Sequence, residues 1–319
     1  MTTNPSIMLL LGMHRSGTSL LGNVIDKLGA DLGISLMPAG SDNMTGFYEN
    51  WRIVALHDKF MARFAMAWDR PGLLPYNWLD SEGVAADIDE LGRIAESEFA
   101  FDRPIAVKDP RLAIVHPLWT ALAERLESQL RHIVILRHPE EVVLSLARRN
   151  RMSLDWAGKL YCDYNLRIRD CVLGDERTFW LTYDQLVSDP ATVVVRLAKF
   201  FEPELGELRP EVIAAAASEA IPSLQHHARR GSSLTPFGYA YENISSNPGE
   251  GITGPELSEF FDLLSISTPR EAQTFLALEA PNSSAGRHFQ VKKLISKTTT
   301  KPVPPSHDSQ LIKAADEHP

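Results

Sequence analysis

Gly12 and Gly17 bracket Met13, His14, Arg15 and Ser16, and Thr18 and Ser19 follow. Such a turn, opening a helix, exposes backbone N–H groups at an end whose dipole favours an anion. The spacing is that of a nucleotide-binding P-loop, Gly-x-x-x-x-Gly plus two residues. Lysine and a hydroxyl residue usually fill the last two places; the lysine reaches terminal phosphates and the hydroxyl holds magnesium. Here Thr18 and Ser19 fill them, and the loop's cation is Arg15. The loop can hold a phosphate without the device that grips a triphosphate and its metal. A packing turn with no ligand is the alternative, but Arg15, Ser16, Thr18 and Ser19 are more polar than such a turn requires.

A second anion site follows the same logic. Arg131 to Leu136 reads as a buried strand running into Arg137. Pro139 suits the first turn of a helix, and Glu140 and Glu141 suit its positive end. Arg137 therefore stands at the C-terminal end of a strand, where open α/β sheets bind ligands. Ser145 lies about two turns into that helix. An exposed arginine in an ordinary strand–helix turn is the alternative. Ile105 to Val107 forms another strand, ending in Lys108, Asp109, Pro110 and Arg111. Lys108 and Asp109 serve there either as chemistry or as a solvated strand end. Thr178 to Leu186, with Asp184, reads as a strand entering a helix.

These segments have elements to position them. Met8 to Leu11 form the short apolar run of a central parallel strand. Leu20, Leu21, Val24, Ile25 and Leu28 recur at helical spacing, and Gly29 suits the C-terminal cap. The alternation continues to about residue 205, which predicts a parallel β-sheet flanked by helices.

The loop from Arg15 to Ser19 resembles the 5′-phosphosulfate loop of sulfotransferases that use 3′-phosphoadenosine 5′-phosphosulfate (PAPS), where Lys or Arg precedes Ser-Gly-Thr-Thr/Ser. The arginine form is typical of the tyrosylprotein and bacterial carbohydrate branches. Arg137, Pro139 and Ser145 match the family's Arg-x-Pro with a serine eight residues after the arginine. The resemblance implies the P-loop superfamily fold. It implies that His14, Arg15, Ser16, Gly17, Thr18 and Ser19 hold the cofactor, and that Arg137 and Ser145 bind its 3′-phosphate. It places Lys108, in Lys-Asp-Pro, near the sulfuryl group. Thr178 to Leu186 looks like the strand and Tyr-Glu-Asp-Leu segment that closes the family core. The base of related branches implies Glu49, after the Gly/Pro-rich stretch, as the general base; the alternative is an acid at the start of the helix predicted from Trp51 to Phe64. His14, His57 and Asp109 are further candidate bases, and His14 stands where many relatives have proline. Leu224 to Gly231 is a basic loop loosely like the family's late Arg-Lys-Gly loop. It suggests Arg230 as a cofactor contact, although the partner Gly-x-Trp is missing. The resemblance spans roughly the first 200 residues.

The implied reaction passes a sulfuryl group from PAPS to a hydroxyl, on a carbohydrate or a small metabolite, and leaves adenosine 3′,5′-bisphosphate. No metal is expected, because the sulfuryl group carries less charge than a phosphoryl group. A nucleotide-dependent kinase of the same fold and a non-catalytic nucleotide-pocket protein are the alternatives. The aromatics between Trp68 and Trp78 suit stacking on sugar rings or, equally, a satellite core.

Composition bounds the rest. The chain has 319 residues, 44% hydrophobic and 23% charged, ordinary for a globular protein. A formal net charge of −9 argues against a nonspecific nucleic-acid partner. No apolar run approaches a membrane span, and no signal-like segment precedes the first strand. Cys162 and Cys171 fall on one predicted helix and make no disulfide framework. The expectation is a cytoplasmic protein with neither nucleic-acid nor membrane partners, compatible with homo-oligomers. Residues 1–205 are read as the PAPS-binding core and 206–280 as a helical continuation of it. Residues 281–319, rich in Pro, Ser, Thr and Lys, are read as a flexible tail.

Overall fold

The computed structural model describes residues 6–40, 46–220, 236–246, 252 and 254–267. Strands β1 (Ile7–Leu11), β2 (Ile105–Lys108), β3 (Leu130–Leu136) and β4 (Thr178–Thr182) pair in parallel, in the order β2-β1-β3-β4. β1 is central, hydrogen-bonded to β2 on one side and β3 on the other. Its five apolar residues are therefore all buried. Met8 and Leu10 pack into a cluster with Leu21, Val24, Val194 and Phe201. Leu9 and Leu11, facing the opposite way by strand alternation, are equally buried. Both faces of the sheet are thus covered.

The helices are α1 (Thr18–Lys27), α2 (Trp51–Arg63), α3 (Val84–Glu98), α4 (Leu112–Arg125), α5 (Pro139–Asn150) and α6 (Leu154–Val172). They continue with α7 (Tyr183–Ser188), α8 (Pro190–Leu205), α9 (Pro210–Ser218), α10 (Pro236–Ser245) and α11 (Gly254–Ser267). Local chemistry sets their ends. Leu28 caps α1 and Gly29 follows at φ 103°, a conformation glycine takes without a Cβ penalty. The Asn50 side chain accepts from the N–H groups of Arg52 and Ile53 to start α2. Pro139 opens α5, and Thr182 with Gln185 forms a capping box on α7. α11 packs back on the sheet, with Phe261 edge-on to Trp180 at 5.7 Å. Among the described residues no helix is long and apolar enough to cross a membrane.

The chain leaves β1 for β2 on one side of the sheet and leaves β3 for β4 on the other. The crevice beyond the C-terminal ends of β1 and β3 is therefore the topological switch point, where such sheets bind ligands. The first glycine loop leaves β1 there, and Arg137 leaves β3 beside it.

Away from that crevice, His116 of α4 and His132 of β3 bring their Nε2 atoms to 3.0 Å in the interior. Burial lowers His116 to about 4. Burial, then the neighbouring His116, lowers His132 to about 3. Both stay neutral in the fold, whereas an unfolded histidine titrates near 6.5. The unfolded chain thus binds protons first as pH falls. Their contribution to stability is complete above about pH 6.5 and is lost from there down to about pH 4 for His116 and about pH 3 for His132. Denaturant melts should show a loss on the order of 2 kcal/mol per histidine between about pH 6.5 and pH 5, and His132→Leu should flatten that slope.

Candidate active site

The loop between β1 and α1 is shaped as an anion cradle. Gly17 sits at φ 94°, and a Cβ there would collide with the Tyr183 ring. A Cβ on Gly12 would press on the Ile135 carbonyl at 2.9 Å. Gly12 thus lets the loop approach the backbone of β3, Gly17 lets it pack on the Tyr183 ring, and Arg15 itself takes a positive φ of 71°. Gly17 caps α1 without a side-chain hydrogen bond, and the first turn carries no acidic residue. The positive end of α1 is therefore not neutralised from within its own turn.

Two cations from distant strands join this loop. Arg15 Nε donates to Ser145 Oγ at 3.0 Å, and an Arg137 terminal nitrogen donates to the Arg15 carbonyl at 3.1 Å. Arg137 and Ser145, the two residues matched to a 3′-phosphate site, are therefore both tied to Arg15 of the loop, although Arg15 and Ser145 are 130 positions apart. Arg137 is held from several sides. Its Nε donates to Glu141 at 2.9 Å, its guanidinium lies 4.1 Å from the Tyr183 ring centroid, and Tyr161 donates to its carbonyl at 2.8 Å.

On the other side of the loop, Lys108 at the end of β2 donates to Ser19 Oγ at 3.2 Å and to Glu49 Oε1 at 2.5 Å. Ser19 in turn donates to the Phe47 carbonyl at 3.4 Å. Glu49 precedes the cap of α2 and turns inward, 8% exposed. It does not serve as the acidic start of that helix; Asn50 does the capping. Burial raises the Glu49 carboxyl above the usual carboxylate range, with Lys108 pulling against the rise. Glu49, Lys108 and Ser19 thus form one cluster next to the cradle.

The other candidate bases have different places. His57 is wholly buried; its Nδ1 lies 2.7 Å from Asp109 Oδ2, and its Nε2 accepts from Trp119 Nε1 at 2.9 Å. Neither ring nitrogen is left for an acceptor. Although burial alone would raise Asp109, Arg111 and His57 hold its carboxyl far below the carboxylate range. Asp109 lacks the basicity a general base needs, and neither residue has the access. His14 is buried, its ring 4.7 Å from that of Trp68 and 5.7 Å from that of Tyr164. Burial, then Arg111, lowers its pKa well below the histidine range, so it is neutral at physiological pH. Arg230 and the Leu224–Gly231 loop lie outside the described residues, as do residues 281–319.

The aromatic stretch divides. Trp68 is buried and its carbonyl accepts from Tyr164. Trp78 packs on Phe60 at 5.7 Å. Both follow the satellite-core reading, whereas Tyr76 is 91% exposed. Sequence reasoning missed Tyr183, which packs under Arg137, and gave Arg111 no role. The signal for Arg111 was a charged residue opening an otherwise apolar helix.

No protein-family model matches the chain, and no curated protein matches it. Among solved structures the chain is similar to the sulfotransferase domain of the Synechococcus PCC 7002 olefin synthase. The identity is 19% over 86% of this chain and 96% of that one, at a TM-score of 0.42. It is also similar to mouse sulfotransferase SULT7A1 complexed with PAP, with 13% identity over 85% of this chain and 88% of that one, at a TM-score of 0.40.

Proposed function

We propose that this protein is a sulfotransferase that moves a sulfuryl group from PAPS to a hydroxyl of a carbohydrate or small metabolite. One observation carries the reading: Lys108 bonds at once to Ser19 of the phosphate cradle and to the buried Glu49. A proton acceptor and a cation thus share one flank of an anion site. The residues present fit the cofactor. The cradle, with Arg15, offers an anion site at the start of α1, and Arg137 and Ser145, each bonded to Arg15, offer a second beside it. At Gly17 there is no room for a side chain, because a Cβ there would meet the Tyr183 ring.

When bound, PAPS supplies an activated sulfuryl group on a phosphate leaving group. The loop N–H groups and Arg15 orient the phosphate and neutralise charge that grows on it. Lys108 adds a second positive charge from the neighbouring strand. Glu49 takes the proton of the acceptor hydroxyl on a carboxylate oxygen. Its burial raises its basicity, while the bond to Lys108 favours its ionised form. Arg137 and Ser145 hold the far phosphate and so fix the nucleotide against the cradle.

Sulfur-labelled PAPS incubated with a panel of sugars, phenols and small alcohols, in the presence of a chelator, tests this. Label should appear on an organic acceptor. Phosphorylation of the same panel from magnesium–ATP, with no sulfur transfer, would instead favour the kinase.

A further inference from the structure

The described interior contains a charged chain that the proposed chemistry does not use. Arg111 is 2% exposed. Its Nε donates to Asp58 at 2.7 Å, and a terminal nitrogen donates to Asp109 Oδ1 at 3.1 Å. That same nitrogen stands 3.9 Å from Glu49 Oε2. Three carboxylates thus surround one buried guanidinium. Burying an arginine is costly unless it is well paired, so this arrangement must be held in place.

The holding group is identifiable. Trp119 Nε1–H can only donate, so the His57 Nε2 facing it is bare. The proton of neutral His57 is therefore on Nδ1 and points at Asp109 Oδ2. Asp109 Oδ1 accepts both the side chain and the backbone N–H of Arg111. Asp109 is satisfied on both oxygens, and it draws the guanidinium toward itself rather than fully onto Glu49. Glu49 keeps Lys108 as its direct partner and feels Arg111 from just beyond hydrogen-bond range.

We infer that Arg111 is a positioning residue, oriented by the Trp119–His57–Asp109 chain, that sets how readily Glu49 takes a proton. The use of that proton in sulfuryl transfer rests on the function proposed above; the electrostatic coupling does not. The charged groups facing Glu49 are Lys108 at the end of β2, and Asp109 and Arg111 in the turn into α4. His57 and Asp58 of α2 act on it through Asp109 and Arg111. Removing the positive charge should make Glu49 easier to protonate. Neutralising Asp109 should release Arg111 toward Glu49 and make it harder to protonate. A role in packing alone has no reason to give opposite signs.

The test is a carbon NMR titration of the protein labelled at the glutamate carboxyl carbon, with the Glu49 resonance assigned by its loss in Glu49→Gln. Arg111→Met should move the Glu49 midpoint up by about one unit or more, and Asp109→Asn should move it down. Arg111→Lys should return it most of the way to wild type. Shifts of the same sign, or none, would overturn the inference. Should a variant not fold, the wild-type protein still decides: imidazole nitrogen resonances must show His57 protonated on Nδ1 and bare on Nε2, and the reverse tautomer would sink the chain. The titration needs neither cofactor nor acceptor. Failed sulfur transfer therefore leaves it standing, and unshifted midpoints overturn it even where transfer is found.

Discussion

Replacing Glu49 by glutamine should lower turnover with any acceptor by about 10²–10⁴, while leaving affinity for adenosine 3′,5′-bisphosphate close to wild type. Glutamine keeps the reach of the side chain to Lys108 but cannot take a proton. The pH–rate profile of the wild type should show an acidic limb, displaced toward neutrality because burial raises the Glu49 carboxyl. Activity belongs to the ionised form, so it rises with pH through that limb and is lost below it. The glutamine variant should lack the limb. Near-normal turnover by Glu49→Gln would reduce the carboxylate to a structural partner of Lys108. His57 and Asp109 would not replace it, because both are fully engaged in the interior.

The second large effect concerns the two anion positions. Arg137→Ala should weaken adenosine 3′,5′-bisphosphate binding roughly ten- to a hundredfold, the worth of a charge-assisted contact of about 1.5–3 kcal/mol. It should leave the weaker binding of 5′-AMP nearly unchanged. Arg15→Ala should weaken both nucleotides, because Arg15 lies in the cradle and also bonds Ser145. The comparison with 5′-AMP matters because Arg137 also donates to the Arg15 carbonyl. Calorimetric titration of both ligands separates the cases. Equal losses on both for Arg137→Ala would mean that it supports the loop rather than reading a 3′-phosphate.

What the sequence made legible was local. The glycine spacing, the strand before it and the helix after it lie within one short segment, so period and turn chemistry suffice to read them. Arg137 and Ser145 lie on one strand–helix unit and read the same way. Glu49 and Lys108 were each marked separately, yet their contact spans 59 positions and depends on how the chain returns from α3 into β2. No periodicity encodes that. The chain through Trp119, His57, Asp109 and Arg111 joins three segments, and each residue alone reads as ordinary: an apolar-face tryptophan, a helix histidine, a strand-end charge. Trp68 shows the reverse case. Its turn-rich surroundings suggest a loop surface, but Tyr164 from α6 closes over it.

Thermal melting with a panel of nucleotides tests the central claim most directly. A ligand at about 100 times its Kd stabilises the native state by about 2.7 kcal/mol, a rise of roughly 4 °C for a chain of this size. Adenosine 3′,5′-bisphosphate should give such a rise in the presence of a chelator, and a larger one than ADP, ATP or GDP with magnesium. A clear preference for magnesium–ATP would contradict the account.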